Sequence, residues 1–288
     1  MKKLAIAALS AATLLSSAKA DEESPFLSGC GYSGIYSGYE LYGSLVNPEP
    51  TWQTYAEFNG SLSFGDLDLG YLGLGIWINS DLTKRRHDYY ERLFNEEDFI
   101  VHWGRTFWFD DDRTWGLDYR SSFIWYYCPH NAYRGHNNYT STTMEWIHRF
   151  ELKNPYATPY VNCVHEYHET AGNLLQFGVR KAVAATDELT LTPGVEFVWR
   201  NGNYNWCFPK SGYREGSWTS HCGSGLATMK IGLDADYRLC DNFGLFAKIA
   251  YCQTLDKDLR SSAEDASGAD CGKYKDFVWG GVGVTWNF

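Results

Sequence analysis

The sequence predicts an all-β protein: one antiparallel transmembrane barrel of about twelve strands. Three observations predict it. Apolar and polar residues take turns along a series of short stretches. Tight turn-rich joins alternate with long polar loops. Aromatic residues make up 17% of the chain, although its mean hydropathy is −0.40. A soluble core has little use for so many Tyr and Trp, whereas a barrel in a bilayer sets them as girdles at both interfaces.

The alternation is clearest in the last stretch. Val278, Gly280, Val282, Val284, Trp286 and Phe288 fall on one face, and Trp279, Gly281, Gly283, Thr285 and Asn287 on the other. Around 114–128, Trp115, Leu117, Tyr119, Phe123, Trp125 and Tyr127 oppose Gly116, Asp118, Arg120 and Ser122. Segments of this kind lie near 32–46, 52–64, 67–78, 98–110, 114–127 and 140–152, then 157–168, 173–184, 188–200, 225–239, 242–255 and 275–288. Each reaches about the 9–11 residues that a tilted membrane strand needs. In 67–79 both faces turn apolar after Gly70, which predicts a bulge or a change of register.

The joins sort themselves. Gly65-Asp66, Asp111 to Arg113, Lys153 to Tyr156, Thr186-Asp187 and Cys240-Asp241 are short and follow every second strand. The stretches 79–97, 128–139, 201–224 and 256–274 are long, polar and follow the others. Short periplasmic turns alternating with longer extracellular loops give this order when both termini face the periplasm.

Residues 1–20 read as a secretory signal peptide, with Lys2 and Lys3, an apolar run from Leu4 to Leu15, and Ala18-Lys19-Ala20 before a cut at Asp21. Residues 21–288 then form the barrel as one domain. Loss of three lysines with the leader takes the net charge from −10 to −13, which argues against a nucleic-acid partner. All eight Cys lie after the leader, and an even count in an exported chain suggests disulfides. Cys207 with Cys222 and Cys252 with Cys271 bracket two long loops and are the candidate pairs.

At its C-terminal end the chain resembles the Gram-negative outer-membrane β-barrel proteins, porin-like members among them. Their last strand ends in Phe with apolar residues at alternate positions, as in Val278-x-Gly280-x-Val282-x-Val284-x-Trp286-x-Phe288. The resemblance implies an outer-membrane location in contact with lipid. It also implies that Trp286 and Phe288 belong to a signal read by the barrel-assembly machinery. It does not select among small-solute channels, autotransporter translocators, phospholipases and lipid A-modifying enzymes.

The inward phase is where function is expected. It holds Glu40, Glu57, Asp68, Asp118, Arg120, Glu145, Arg149, Glu166, Arg180, Glu196, Arg200, Lys230, Asp234 and Lys248. Arg or Lys facing lipid costs roughly 2–4 kcal/mol at the bilayer midplane, so these side chains turn inward. They either orient polar solutes in a wet pore or pair and fill a narrow barrel. Acids outnumber bases on this face, which points to a mild preference for cations. Inward Tyr36, Tyr42, Tyr55 and Tyr126 are equally compatible with a sugar slide and with packing.

Catalytic signals are thin. His165-Glu166-Tyr167-His168-Glu169 has the wrong spacing for a helical zinc motif, and on a strand its two His face opposite sides. No Cys-x-x-Cys and no His-x-Ser occurs. His87-Asp88, in the long loop 79–97, resembles the Asp-His pair that activates water in barrel proteases or is a solvated loop tip, and His136 to Thr140 is polar loop. The expected function is a passive porin-like channel for small polar or charged solutes, without metal or cofactor. A non-conducting surface barrel with an adhesive or envelope role, and a lipid- or peptide-hydrolysing barrel, are the alternatives.

Overall fold

Long β-branched and aromatic stretches with a two-residue period, punctuated by Gly, Asp and Asn, form strands because alternate side chains meet two different solvents. The computed structural model describes residues 27–65, 67–83, 96–127, 142–167, 171–207, 223–257, 259–260 and 276–288. The wall begins with β1 (Leu27–Tyr36), and a small hairpin follows, β2 (Tyr39–Leu41) and β3 (Ser44–Asn47). The wall continues as β4 (Thr51–Phe64), β5 (Leu67–Asp81), β6 (Glu96–Trp108), β7 (Gly116–Tyr127), β8 (Thr142–Lys153) and β9 (Thr158–Glu166). It is completed by β10 (Asn173–Arg180) with its short continuation β11 (Val183–Ala184), then β12 (Leu189–Arg200), β13 (Gly225–Arg238), β14 (Phe243–Thr254) and β15 (Phe277–Asn287). One short helix, α1 (Gly202–Cys207), follows β12.

Every wall strand pairs antiparallel with its neighbour in the chain, and β1 pairs with β15 to shut the ring. The result is a closed antiparallel barrel of 12 strands. Closure leaves no edge and satisfies the backbone without water, as a bilayer demands. The seam runs from Cys30 opposite Asn287 to Tyr36 opposite Gly281. It ends in a pair of 3.0 Å hydrogen bonds between Gly29 and Phe288. The rings of Phe288 and Trp286 lie over Gly29 and Gly31, where a Cβ would come within 2.3 and 2.4 Å of neighbouring atoms.

The outer surface is apolar. Val278, Val282, Leu74 and Ile249 are 66, 60, 59 and 57% exposed, and Phe99, Phe123, Trp125, Trp146 and Leu233 join them. An apolar surface encircling a protein in this way is a membrane surface. Several outward polar atoms satisfy one another: Trp52 Nε1 donates to Ser33 Oγ at 2.8 Å, Trp146 Nε1 to Ser121 Oγ at 2.7 Å, and Tyr119 Oη meets His148 Nδ1 at 2.8 Å.

Two strand assignments need correction. The expected strand 32–46 is a wall strand ending at Tyr36 followed by a separate hairpin that leaves the wall. Tyr42 and Gly43, at φ 50° and 79°, form its two-residue turn, as a type I′ hairpin requires. Alternation is the same on a wall strand and on a hairpin, so the period alone does not separate them. The expected strand 173–184 is interrupted at Lys181 and Ala182, opposite Pro193, which has no N–H to give the ladder. The segment 67–79 does hold a bulge, but at Leu69, just before Gly70 (φ 91°), where the register against β4 shifts between Leu62 and Ser63; from Gly70 onward the pairing is regular.

Candidate functional site: the barrel lumen

Strand direction places the β2–β3 hairpin on the side of the long loops, from which it turns into the lumen. Its base is tied to the wall by Trp279 Nε1, which donates to the Gly38 carbonyl at 2.9 Å. Arg200, with no exposed surface, donates to the Tyr42 carbonyl and to Ser44 Oγ, both at 2.7 Å. Lys230 Nζ sits 3.3 Å from Glu40 and 2.9 Å from Glu196. Glu145 accepts hydrogen bonds from three tyrosines, Tyr42 at 2.8 Å, Tyr126 at 2.6 Å and Tyr204 of α1 at 3.0 Å. Burial first, and the Glu145 charge second, push the Tyr42 and Tyr204 hydroxyls well above their ordinary range, so both remain donors.

Beneath these contacts Tyr204 packs on Val164, Leu174 and Val198, with Tyr42 and Ile147 against the group. An apolar cluster inside a membrane barrel means that this part of the lumen is packed by protein. Glu145 and Glu166 on the wall, and Asp98 on β6, are all buried here. Thr143 Oγ1 donates to Glu166, and Tyr39 Oη donates to Glu96 at 3.2 Å.

Toward the short turns the lumen opens into a cavity of about 520 Å³. It runs from Tyr42 at the hairpin tip past Ser122, Asn162 and Gln176 to Asp118, Lys153 and Arg180 near the strand ends. Arg149 and Arg180 both bond Glu151 Oε2, at 2.8 and 2.7 Å, and Lys153 lies 3.4 Å from Asp118. Arg120 reaches across two strands to Glu57 at 2.7 Å. It can do so because Gly73 and Gly75 leave a trough: a Cβ on Gly73 would fall 2.1 Å from His102 Nε2 and 2.3 Å from Asn59 Oδ1. Glu57 also accepts from Asn59 at 2.9 Å and from Tyr55. On the facing wall Lys248 pairs with Asp234 at 3.5 Å, beside Asp236.

Of the residues singled out in the sequence, Glu57, Asp118, Arg120, Glu145, Arg149, Glu166, Arg180, Glu196, Arg200, Lys230, Asp234 and Lys248 occupy wall positions of the inward phase. Glu40 is inward too, but on the hairpin. Asp68 instead accepts from the Gly70 amide at 2.7 Å, next to the bulge at the rim. His165 faces outward and Glu166 inward, as alternation demands. Glu151 and Lys153 were not singled out, although they share the phase of Glu145 and Arg149. Tyr204 lies in a loop, where no period marks it. The inward-phase Val164, Leu174 and Val198 were the available signal that part of the lumen is packed.

Cys252 is a buried thiol opposite Lys230, and Cys30, Cys163 and Cys240 are likewise free. Cys222, Cys271 and the Cys207 side chain lie outside the described residues, as do residues 1–20, His87-Asp88, His136 to Thr140 and His168. Among the described residues no three His, Cys, Asp or Glu side chains converge as a metal site would require.

No family model and no curated protein matches the chain. Among solved structures it is similar to the KdgM porin in complex with disordered oligogalacturonate, at 10% identity and TM-score 0.43 over 90% of this chain and 99% of that one. It is similar to the COG4313 outer membrane channel from Pseudomonas putida F1, at 7% identity and TM-score 0.47 over 93 and 97%. The translocator domain of the autotransporter NalP from Neisseria meningitidis is similar at 11% identity and TM-score 0.41 over 100 and 98%. Channels and translocators thus stand side by side, and the likeness assigns no activity.

Proposed function

We propose that the protein is exported, inserts in the outer membrane with help from the barrel-assembly machinery, and acts there as a passive porin-like channel for small polar or charged solutes. The observation that carries this reading is the wet, charge-lined cavity inside an apolar exterior. Arg120, Arg149, Lys153 and Arg180 keep 28 to 44% of their side-chain surface exposed within it. A barrel serving only as a scaffold has no need to hold four cations in water inside its wall, since packing the space with apolar side chains avoids their desolvation. Twelve strands also lie between the filled eight-stranded barrels and the open porins of 16–18.

The hairpin then narrows the path on the long-loop side and the cavity forms the vestibule below it. Reconstitution of the purified protein in planar bilayers tests the reading. Discrete conductance steps are expected, and a bilayer that stays silent at protein densities where a control porin conducts would overturn it.

A further inference from the structure

The acid-rich inward face suggested cations, but the cavity presents the opposite charge. Its lining carries Arg120, Arg149, Lys153 and Arg180 against Asp118 and Glu151. Of the other inward acids, Asp234 and Asp236 stand on the facing wall beside Lys248, outside the cavity lining, and the rest are engaged or closed off. Glu57 is engaged by Arg120, Glu196 by Lys230, and Glu145 is closed off behind the hairpin by three tyrosines. We propose that this cavity binds small organic carboxylates and gives the channel a preference for anions; the second part rests on the channel reading above.

The geometry of Arg149 and Arg180 carries the proposal. Both guanidiniums lie against the ring of Tyr160, 5.1 and 5.8 Å from its centroid, which holds their planes in place. Each gives one nitrogen to the same oxygen of Glu151. A guanidinium has five N–H donors in a rigid fork, so most of each fork still faces the cavity. Glu151 already shows the ligand chemistry: one carboxylate shared by two arginines, with Lys153 at 3.9 Å. A solute carboxylate entering beside it meets the same donors, and Asn162 and Gln176 supply neutral hydrogen-bonding groups for its hydroxyls. Six strands round the ring from β8, the seam strand β15 turns Trp279, Gly281, Gly283 and Thr285 inward with no charge, so nothing there competes for the anion.

Two measurements on the full-length protein decide the matter. In bilayers under a KCl gradient, the reversal potential is expected to have the sign of chloride selectivity, and in Arg149→Gln/Arg180→Gln it is expected to move toward potassium. In detergent solution, calorimetric titration with gluconate is expected to give saturable binding that glucose does not. The double variant should bind gluconate about tenfold or more weakly, as loss of charge-assisted contacts implies. A potassium-selective wild type, or gluconate and glucose titrations that coincide, would overturn the proposal; both are read on the unmutated chain, so a misfolded variant does not shelter it. Absence of conductance steps with gluconate binding intact would remove the channel reading and keep the carboxylate site.

Discussion

The two halves of the lumen are built from the same alternating wall and end in opposite states. On the long-loop side, Glu145, Glu166 and Arg200 are buried and bonded to the hairpin, α1 or neighbouring strands, around an apolar cluster of Val164, Leu174, Val198 and Tyr204. On the short-turn side, Arg149, Lys153 and Arg180 stay partly exposed around a cavity. The wall starts this difference by turning Val164, Leu174 and Val198 inward in one half, and a loop completes it by entering that half and leaving the other. The same sequence rule therefore yields packing where a partner arrives and a wet surface where none does.

The sharpest way to break the comparison is to remove a contact that holds the hairpin. Arg200→Ala takes away the donors to Tyr42 and Ser44, leaving the Tyr42 carbonyl only the longer 3.4 Å bond from Thr228 Oγ1. The expected loss is about 3–5 kcal/mol by analogy with broken buried charge networks, read as a lower temperature for the gel shift from folded to unfolded barrel. On the outer wall, Ile249→Arg sets a charge near the middle of β14 against lipid and should cost about 2–4 kcal/mol in the same assay. Ser122→Arg, which points into the cavity, should be tolerated far better; equal losses at the two positions would deny that the faces differ.

Smaller effects sharpen the picture. Gly73→Ala forces His102 or Asn59 to move out of the trough and should cost about 1–3 kcal/mol, with the Arg120–Glu57 pair loosened. Glu145→Gln keeps the shape that three tyrosines surround but removes the charge they donate to. It should cost about 1–2 kcal/mol, less than Arg200→Ala.

Much of the barrel was legible because a strand between two solvents writes its orientation into every second residue. The inward phase of Arg120, Glu196 and Lys248 follows from that alone, as does the position of the turns. The loss of alternation after Gly70 marks no break in the ladder, since the bulge sits just before it at Leu69. What stayed hidden lies in residues that alternation cannot place. Glu40 and Tyr42 keep the period of a wall strand while sitting on a hairpin, and only Gly38 and Gly43 hint at the break. The partners of the charges were hidden as well. Arg120 meets Glu57 across 63 positions of chain, past an intervening strand that has no side chain at Gly73, where a Cβ would press on His102 and Asn59. Counting acids and bases along the sequence therefore gave the charge of the whole inward face and not that of the cavity.

The account turns on the hairpin as the element that sets the width of the path. Single-channel conductance of the wild type compared with a variant in which residues 39–47 are replaced by a short Gly-Ser link tests this most directly. Larger steps from the variant, with the ion preference of the vestibule unchanged, are predicted. Steps of the same size in both proteins would contradict it, since the narrowing would then lie in the wall and not in the loop that enters it.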